Sequence, residues 1–112
     1  MYKLKIAVLF GGYSPEYDIS LRSAHSVITH LDINKYDPVL LGITPSGEWF
    51  RFSGDSGKIK DNTWCNPSDC VRAIISPSRE VHGMLEFDAG EIRTIRLDAA
   101  MGVSAGAVFG CN

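Results

Sequence analysis

The stretch Lys5-Ile6-Ala7-Val8-Leu9-Phe10-Gly11-Gly12 decides how the rest of the chain is read. Apolar residues run from Ile6 to Phe10 without alternation, and a glycine pair stops them. Such a run suits a strand buried on both faces, as in a parallel sheet. Beyond a polar loop, Leu21, Ala24, Val27, Ile28 and Leu31 recur at helical spacing, with Arg22, Ser23, Ser26 and Thr29 on the other side. Asp18 or Ser20 is expected to cap this helix, because either side chain accepts from free backbone N–H groups. Val39-Leu40-Leu41-Gly42-Ile43 is the second buried strand. Pro38 is expected at its entry, where a missing donor is tolerated. Strand, helix and strand make a β-α-β unit, for which a parallel pair and a right-handed crossover are expected.

The middle of the chain changes character. Thr44-Pro45-Ser46-Gly47 signals a turn, and Glu48-Trp49-Phe50-Arg51-Phe52 a short strand. Residues 53–66 are polar, with room for one helical turn near 58–61. A further strand is expected over 71–76. Segments 81–87 and 92–97 flank Asp88-Ala89-Gly90-Glu91, which reads as a hairpin turn. The fold class is therefore α/β, an open sheet with a parallel start and antiparallel additions. Residues 99–108, Ala-Ala-Met-Gly-Val-Ser-Ala-Gly-Ala-Val, are nearly all small or apolar. Val103 and Val108 are too close for successive parallel strands, whose crossover takes about a dozen residues. One irregular strand or a poorly ordered tail is expected there.

Composition bounds the function. The 112 residues are 45% apolar and 21% charged, which fits one domain over 1–112 with a modest core. A net charge of −2 without a basic run gives no electrostatic case for nucleic acid or an anionic membrane. No stretch approaches the ~18 apolar residues of a membrane span. The first apolar run is too short for a secretion signal, so a cytoplasmic protein is expected. Cys65, Cys70 and Cys111 are odd in number and irregularly spaced, which suits reduced thiols better than a zinc site. His25 and His30 lie about 140° apart around a helix and so cannot share a metal. Ser14, Ser20 and Ser23 have no base paired with them in the sequence. Trp49, Phe50 and Phe52 are expected to cover the sheet.

The junction from Phe10 to Ser20 is where chemistry is expected. A loop leading from a parallel strand to a helix N-terminus lies at the carboxyl edge of the sheet, where free N–H groups and the helix dipole converge. Gly11 and Gly12 permit close ligand approach, although the pair alone is weak evidence and a plain tight turn also accounts for it. Neither a dinucleotide fingerprint nor a Walker loop is present. Glu16 and Asp18 make the loop acidic. They either complement the helix N-terminus or hold an ammonium while N–H groups take an anion, as a zwitterionic amino acid requires.

The run from Lys5 to Ala24, including Phe10-Gly11-Gly12-Tyr13-Ser14-Pro15-Glu16-Tyr17-Asp18-Ile19-Ser20, resembles the start of D-alanine–D-alanine ligases. Tyr36-Asp37-Pro38-Val39-Leu40-Leu41-Gly42-Ile43-Thr44 and Gly47-Glu48-Trp49 match that family too. Asn62-Thr63-Trp64 and Val81-His82-Gly83-Met84-Leu85-Glu86 look most like its vancomycin-resistance branch, whose ligases join D-Ala to D-Ser or D-lactate. The resemblance covers about residues 3 to 98. It implies a Rossmann-like, pre-ATP-grasp domain of an enzyme in which ATP phosphorylates the first D-alanine, with Mg²⁺ neutralising phosphate charge. By that resemblance Glu16 positions the ammonium of the first D-alanine. Ile19 is its apolar neighbour, and Gly11, Gly12 and Ser20 frame the loop.

The same resemblance marks a departure. After Leu97-Asp98 the family runs into a strand ending in His-Gly, then a helix. Here the register gives Met101-Gly102-Val103-Ser104-Ala105-Gly106, with Ala105 where the family places its active-site histidine. Phe109-Gly110-Cys111 resembles a segment that follows the helix. The ATP-binding lysines and the Mg²⁺ carboxylates have no counterpart, so ATP and Mg²⁺ belong to the full-length family and no cofactor is expected in this chain. The expected function is the D-alanine-holding N-terminal portion of a peptidoglycan-precursor ligase, truncated at its C-terminal end and inactive alone. The alternatives are a stand-alone small-ligand module and a fragment that self-associates through the sheet edge near 99–109.

Overall fold

The computed structural model describes residues 3–12, 15–76, 83–104 and 107–111, with the backbone alone for 104 and 107–111. The first strand, β1 (Leu4–Gly11), leads into helix α1 (Tyr17–His30) and then β2 (Tyr36–Ile43). Next come β3 (Trp49–Phe52), the single turn α2 (Gly57–Lys60) and β4 (Cys70–Ile75). Strands β5 (Gly83–Asp88), β6 (Glu91–Arg96), β7 (Ala99–Ser104) and β8 (Ala107–Cys111) complete one sheet. Its order is β6-β5-β4-β3-β2-β1-β7-β8.

The apolar run lies where an unalternating strand belongs. β1 is interior and pairs parallel with both β2 and β7, so Val8 sits between Leu40 and Met101. Its even positions, Val8 and Phe10, face α1 together with Leu21, Ala24, Phe52, Ile59, Trp64 and Val103. Its odd positions, Ala7 and Leu9, belong to a second core with Leu41, Ala73, Met84, Leu97 and Ala100. The two cores lie on opposite faces because successive strand side chains alternate.

No described helix covers the second core; the sheet itself does. β6 and β7 stand six strand spacings apart in the sheet order, about 29 Å if the sheet were flat. Yet only Leu97 and Asp98 join them, a link that reaches roughly 11 Å. The sheet must therefore curl until β6 returns to the start of β1. Asp98 marks the meeting. Its N–H donates to the Lys5 carbonyl at 2.7 Å, and its carboxylate accepts from Lys5 N–H at 2.7 Å.

The expected elements are present, with corrections in detail. Residues 58–61 do carry a helical turn. The β5–β6 hairpin turns at Ala89 and Gly90, both left-handed at φ 50° and 82°, as a two-residue type I′ connection requires. Phe52 is buried, and Phe50 packs against the first core. β2 begins earlier than expected, so Pro38 lies inside the strand opposite Ile6. It is tolerated because β3 pairs only with Leu40–Ile43, which leaves β2 locally an edge at Pro38.

The cap expectation fails for both candidates. Glu16 holds the N-cap position, and no side chain caps the helix. Asp18 is exposed in the first turn, where its charge complements the dipole. Ser20 is buried, and its hydroxyl is committed elsewhere. The tail expectation is corrected as well. Ala99–Ser104 and Ala107–Cys111 form two antiparallel strands, with Ser104 opposite Ala107. β7 is thus interior, and the free edge on that side is β8. Small residues suit β7, because its register brings Ala99, Ala100 and Gly102 against β1.

Candidate functional site

Parallel pairing brings the carboxyl ends of β1 and β2 together beside the N-terminus of α1. Gly11 and Gly12 leave β1 with φ of 84° and 104°, a region that favours glycine. Gly12 N–H donates to the Ile43 carbonyl at 2.8 Å. A side chain on Gly11 would strike that same carbonyl and the Tyr17 ring. Among the described residues, nothing lies within 4 Å of where a Gly12 side chain would start. The pair therefore does two jobs: Gly11 permits close packing, and Gly12 leaves room at the sheet edge.

Ser20 braces this corner from inside. Its hydroxyl accepts from Gly11 N–H at 3.0 Å and donates to the Val103 carbonyl at 2.6 Å. One buried side chain thus ties α1 to the ends of β1 and β7. The Ser20 hydroxyl is thus spent on backbone groups.

Glu16 and Ile19 point the other way. Glu16 is exposed at the helix start, with its carbonyl accepting from Ser20 N–H at 3.0 Å. Ile19 keeps 42% of its surface in water, although it is large and apolar. A carboxylate, an apolar side chain and the free N–H groups of a helix start thus share one exposed end. That arrangement can take an ammonium, a small alkyl group and a carboxylate.

The sequence reading missed three residues that anchor the loop. The buried Trp64 indole donates to the Tyr17 hydroxyl at 3.0 Å, and that hydroxyl donates to Asn62 Oδ1 at 3.2 Å. Burial raises the Tyr17 phenol above its ordinary pKa, an effect that the Trp64 hydrogen bond partly opposes. Trp64 packs edge-on against Phe10 and Phe52, with ring centroids 5.0 and 6.3 Å away. Their signal in the sequence is faint, because Tyr17 and Trp64 lie 47 positions apart.

The remaining candidates do not converge. His25 Nδ1 meets the Ser56 carbonyl at 3.1 Å, and His30 Nδ1 meets the Ser26 carbonyl at 2.8 Å. Burial pushes the Cys65 and Cys70 thiols up, away from the reactive thiolate. Cys70 Sγ donates to the Trp64 carbonyl at 3.2 Å. Among the described residues no three His, Cys, Asp or Glu side chains group to hold a metal. Ala105, which stands where the resemblance places the family's histidine, lies outside the described residues, as does His82. No helix among the described residues is long and apolar enough to cross a membrane.

A family model described as D-ala D-ala ligase N-terminus matches residues 5–107. A D-alanine–D-alanine ligase of Thermoanaerobacter sp. (strain X514) is 45% identical over 91 residues, covering 81% of this chain and 25% of the relative. The vancomycin B-type resistance protein VanB of Enterococcus faecalis is 37% identical over 106 residues, covering 95% of this chain and 29% of the relative. Among solved structures, the VanG D-Ala:D-Ser ligase from Enterococcus faecalis superposes with a TM-score of 0.83 at 39% identity. That match covers 90% of this chain and 29% of the other. The D-alanine–D-alanine ligase from Coxiella burnetii, at 22% identity and a TM-score of 0.72, shares the fold. The chain thus spans between a quarter and three tenths of the length of these relatives.

Proposed function

The chain belongs to the D-alanine–D-alanine ligase family, matching its N-terminal part, and we propose that it holds the first D-alanine of an ATP-dependent ligation in peptidoglycan-precursor synthesis. The observation that carries this reading is the exposed Glu16 at the start of α1, the helix that follows the carboxyl end of β1. In this reading the Glu16 carboxylate takes the substrate ammonium. Backbone N–H groups at the helix start take its carboxylate, and Ile19 lies against its methyl group. A carboxylate beside free N–H groups matches the charges of a zwitterion, whereas a phosphate would meet repulsion from Glu16 and Asp18.

The 112 residues act in this proposal as one substrate-holding domain. Ligation needs the ATP-binding parts of a longer polypeptide, because the chain spans only between 25% and 29% of the ligases it matches. D-Alanine is the proposed first substrate, and the second amino or hydroxy acid is chosen outside this segment. Consumption of ATP sets the cytoplasm as the compartment.

The test is titration of the chain with D-alanine, followed by heat or by amide shifts. Saturable binding is expected, with Glu16→Gln weakening it severely but measurably. Glu16 is exposed, so the variant should keep its melting temperature. Undiminished binding by the variant overturns the role of Glu16. ADP release dependent on ATP and D-alanine, from the pure chain, overturns the proposal that ligation needs more polypeptide.

One observation favours a second property, self-association. Ile92 keeps 66% of its surface exposed on β6, an edge strand, and β8 ends the sheet on the other side. Open edges with apolar side chains invite pairing with another copy. Sedimentation at rising concentration decides it: a dimer is expected, and a strict monomer removes this reading.

A further inference from the structure

We propose that Tyr17 is a positioning residue for the amino-acid site, its hydroxyl fixed by Trp64 and Asn62 so that the adjacent Glu16 carboxylate is held at one place. The inference rests on the reading of Glu16 as the ammonium partner and extends it to a residue that never touches the substrate.

Glu16 lies between two anchors. On one side its carbonyl is bound by Ser20 N–H at 3.0 Å, and the Ser20 hydroxyl in turn grips the ends of β1 and β7. On the other side Tyr17 begins α1 and sends its ring over Gly11, within 3.0 Å of where a Gly11 side chain would start. The phenol then ends on the Trp64 indole and Asn62. Trp64 is fully buried and wedged against Phe10, the last bulky residue of β1. Asn62 is left-handed at φ 59°, a conformation asparagine accepts more readily than most residues. The hydroxyl is thus held from two directions by a segment remote in sequence.

Exposed loops that carry a binding group gain precision only when neighbouring side chains lock them to the scaffold. Without the hydroxyl, the first turn of α1 keeps its backbone bonds but loses its tie to 62–64. Glu16 then samples more positions, and each bound D-alanine must reorder it.

The experiment is a double-mutant cycle in D-alanine binding, using the whole 112-residue chain. Wild type, Tyr17→Phe, Glu16→Gln and the double variant are titrated with D-alanine and separately with propionate, which lacks the ammonium. Tyr17→Phe is expected to weaken D-alanine binding roughly tenfold and leave propionate unchanged. In the Glu16→Gln background, Tyr17→Phe should add no further loss. Trp64→Phe, which removes the indole donor and keeps an aromatic ring, should weaken D-alanine in the same direction. A Tyr17→Phe chain that melts earlier but binds D-alanine as wild type does overturns the positioning role and leaves Glu16 intact. Losses that add independently of Glu16 also overturn it. A wild-type chain that binds no D-alanine overturns the underlying reading and this inference together.

Discussion

The ring of Trp64 fills the space that a side chain on Gly42 would take. A Cβ built there meets the far edge of the indole, and the Phe10 ring at 2.8 Å. Gly42 lies in β2 between Phe10 and Phe50 of the neighbouring strands. The glycine is therefore a socket, and the first core closes because β2 gives up one side chain at that point. Gly42→Ala is expected to destabilise the fold by about 2 kcal/mol through overpacking. Urea denaturation measures it, and Trp64→Leu in the same chain should make the second change cheaper than it is alone.

Ser20→Ala removes one hydroxyl and leaves two backbone groups short, the Gly11 N–H and the Val103 carbonyl. Both lie at a corner where Ser20 is 2% exposed, so water cannot easily replace the hydroxyl. A loss of about 2 kcal/mol is expected. The fingerprint of the mechanism is faster amide exchange at Gly11 than at Val8.

Glu86 is buried on β5 and forms an ion pair with Arg51 of β3, reaching across the intervening β4. Arg93 on β6 stands 3.8 Å from the same carboxylate and 2.7 Å from Asp88. Glu86→Ala strands a partly buried guanidinium, and about 3 kcal/mol of stability should be lost. Replacing Arg51 and Glu86 together by Met and Leu should recover most of it. Chemical denaturation of the single and double variants checks both statements.

Asp69 is expected to make the fold sensitive to acid. Its carboxyl is held below the ordinary 3.8 by hydrogen bonds from the Lys58 ammonium and then from Asn66. The folded protein therefore binds that proton less readily than the unfolded chain does. The contribution is complete above the ordinary carboxylate range and is lost as pH falls through the lower folded value. Lys58→Met should flatten the fall of melting temperature below about pH 4, where wild type drops.

Much of this was legible in the sequence wherever local chemistry decides. The run from Ile6 to Phe10, the helical spacing from Leu21 to Ile28 and the Ala89-Gly90 turn each carry their own structure. The Gly11-Gly12 corner was legible as a strand-to-helix junction, and Glu16 as a candidate beside it, because strand, loop and helix are neighbours in the chain. What stayed hidden depends on remote partners. Ser20 reads locally as a cap, yet the carbonyl that takes its proton lies 83 positions away. Tyr17 and Trp64 become one anchor only when the fold brings them together. Glu86 reads as an exposed residue until the sheet places Arg51 on the same face. The Ala99–Ser104 segment, small and featureless, becomes a strand because β1 offers it an edge.

The two-residue link from β6 to β7 also governs how this protein assembles. Strands adjacent along the chain end up far apart in the sheet order, and β1 waits for a partner that lies far along the chain. The Lys5–Asp98 contact spans 93 positions. A sheet of this kind cannot zip up from one edge as its residues become available; its ends must find one another while much of the chain is still searching. The loop-closure entropy of that encounter comes before most of its reward, so refolding should be slow for a chain of this size.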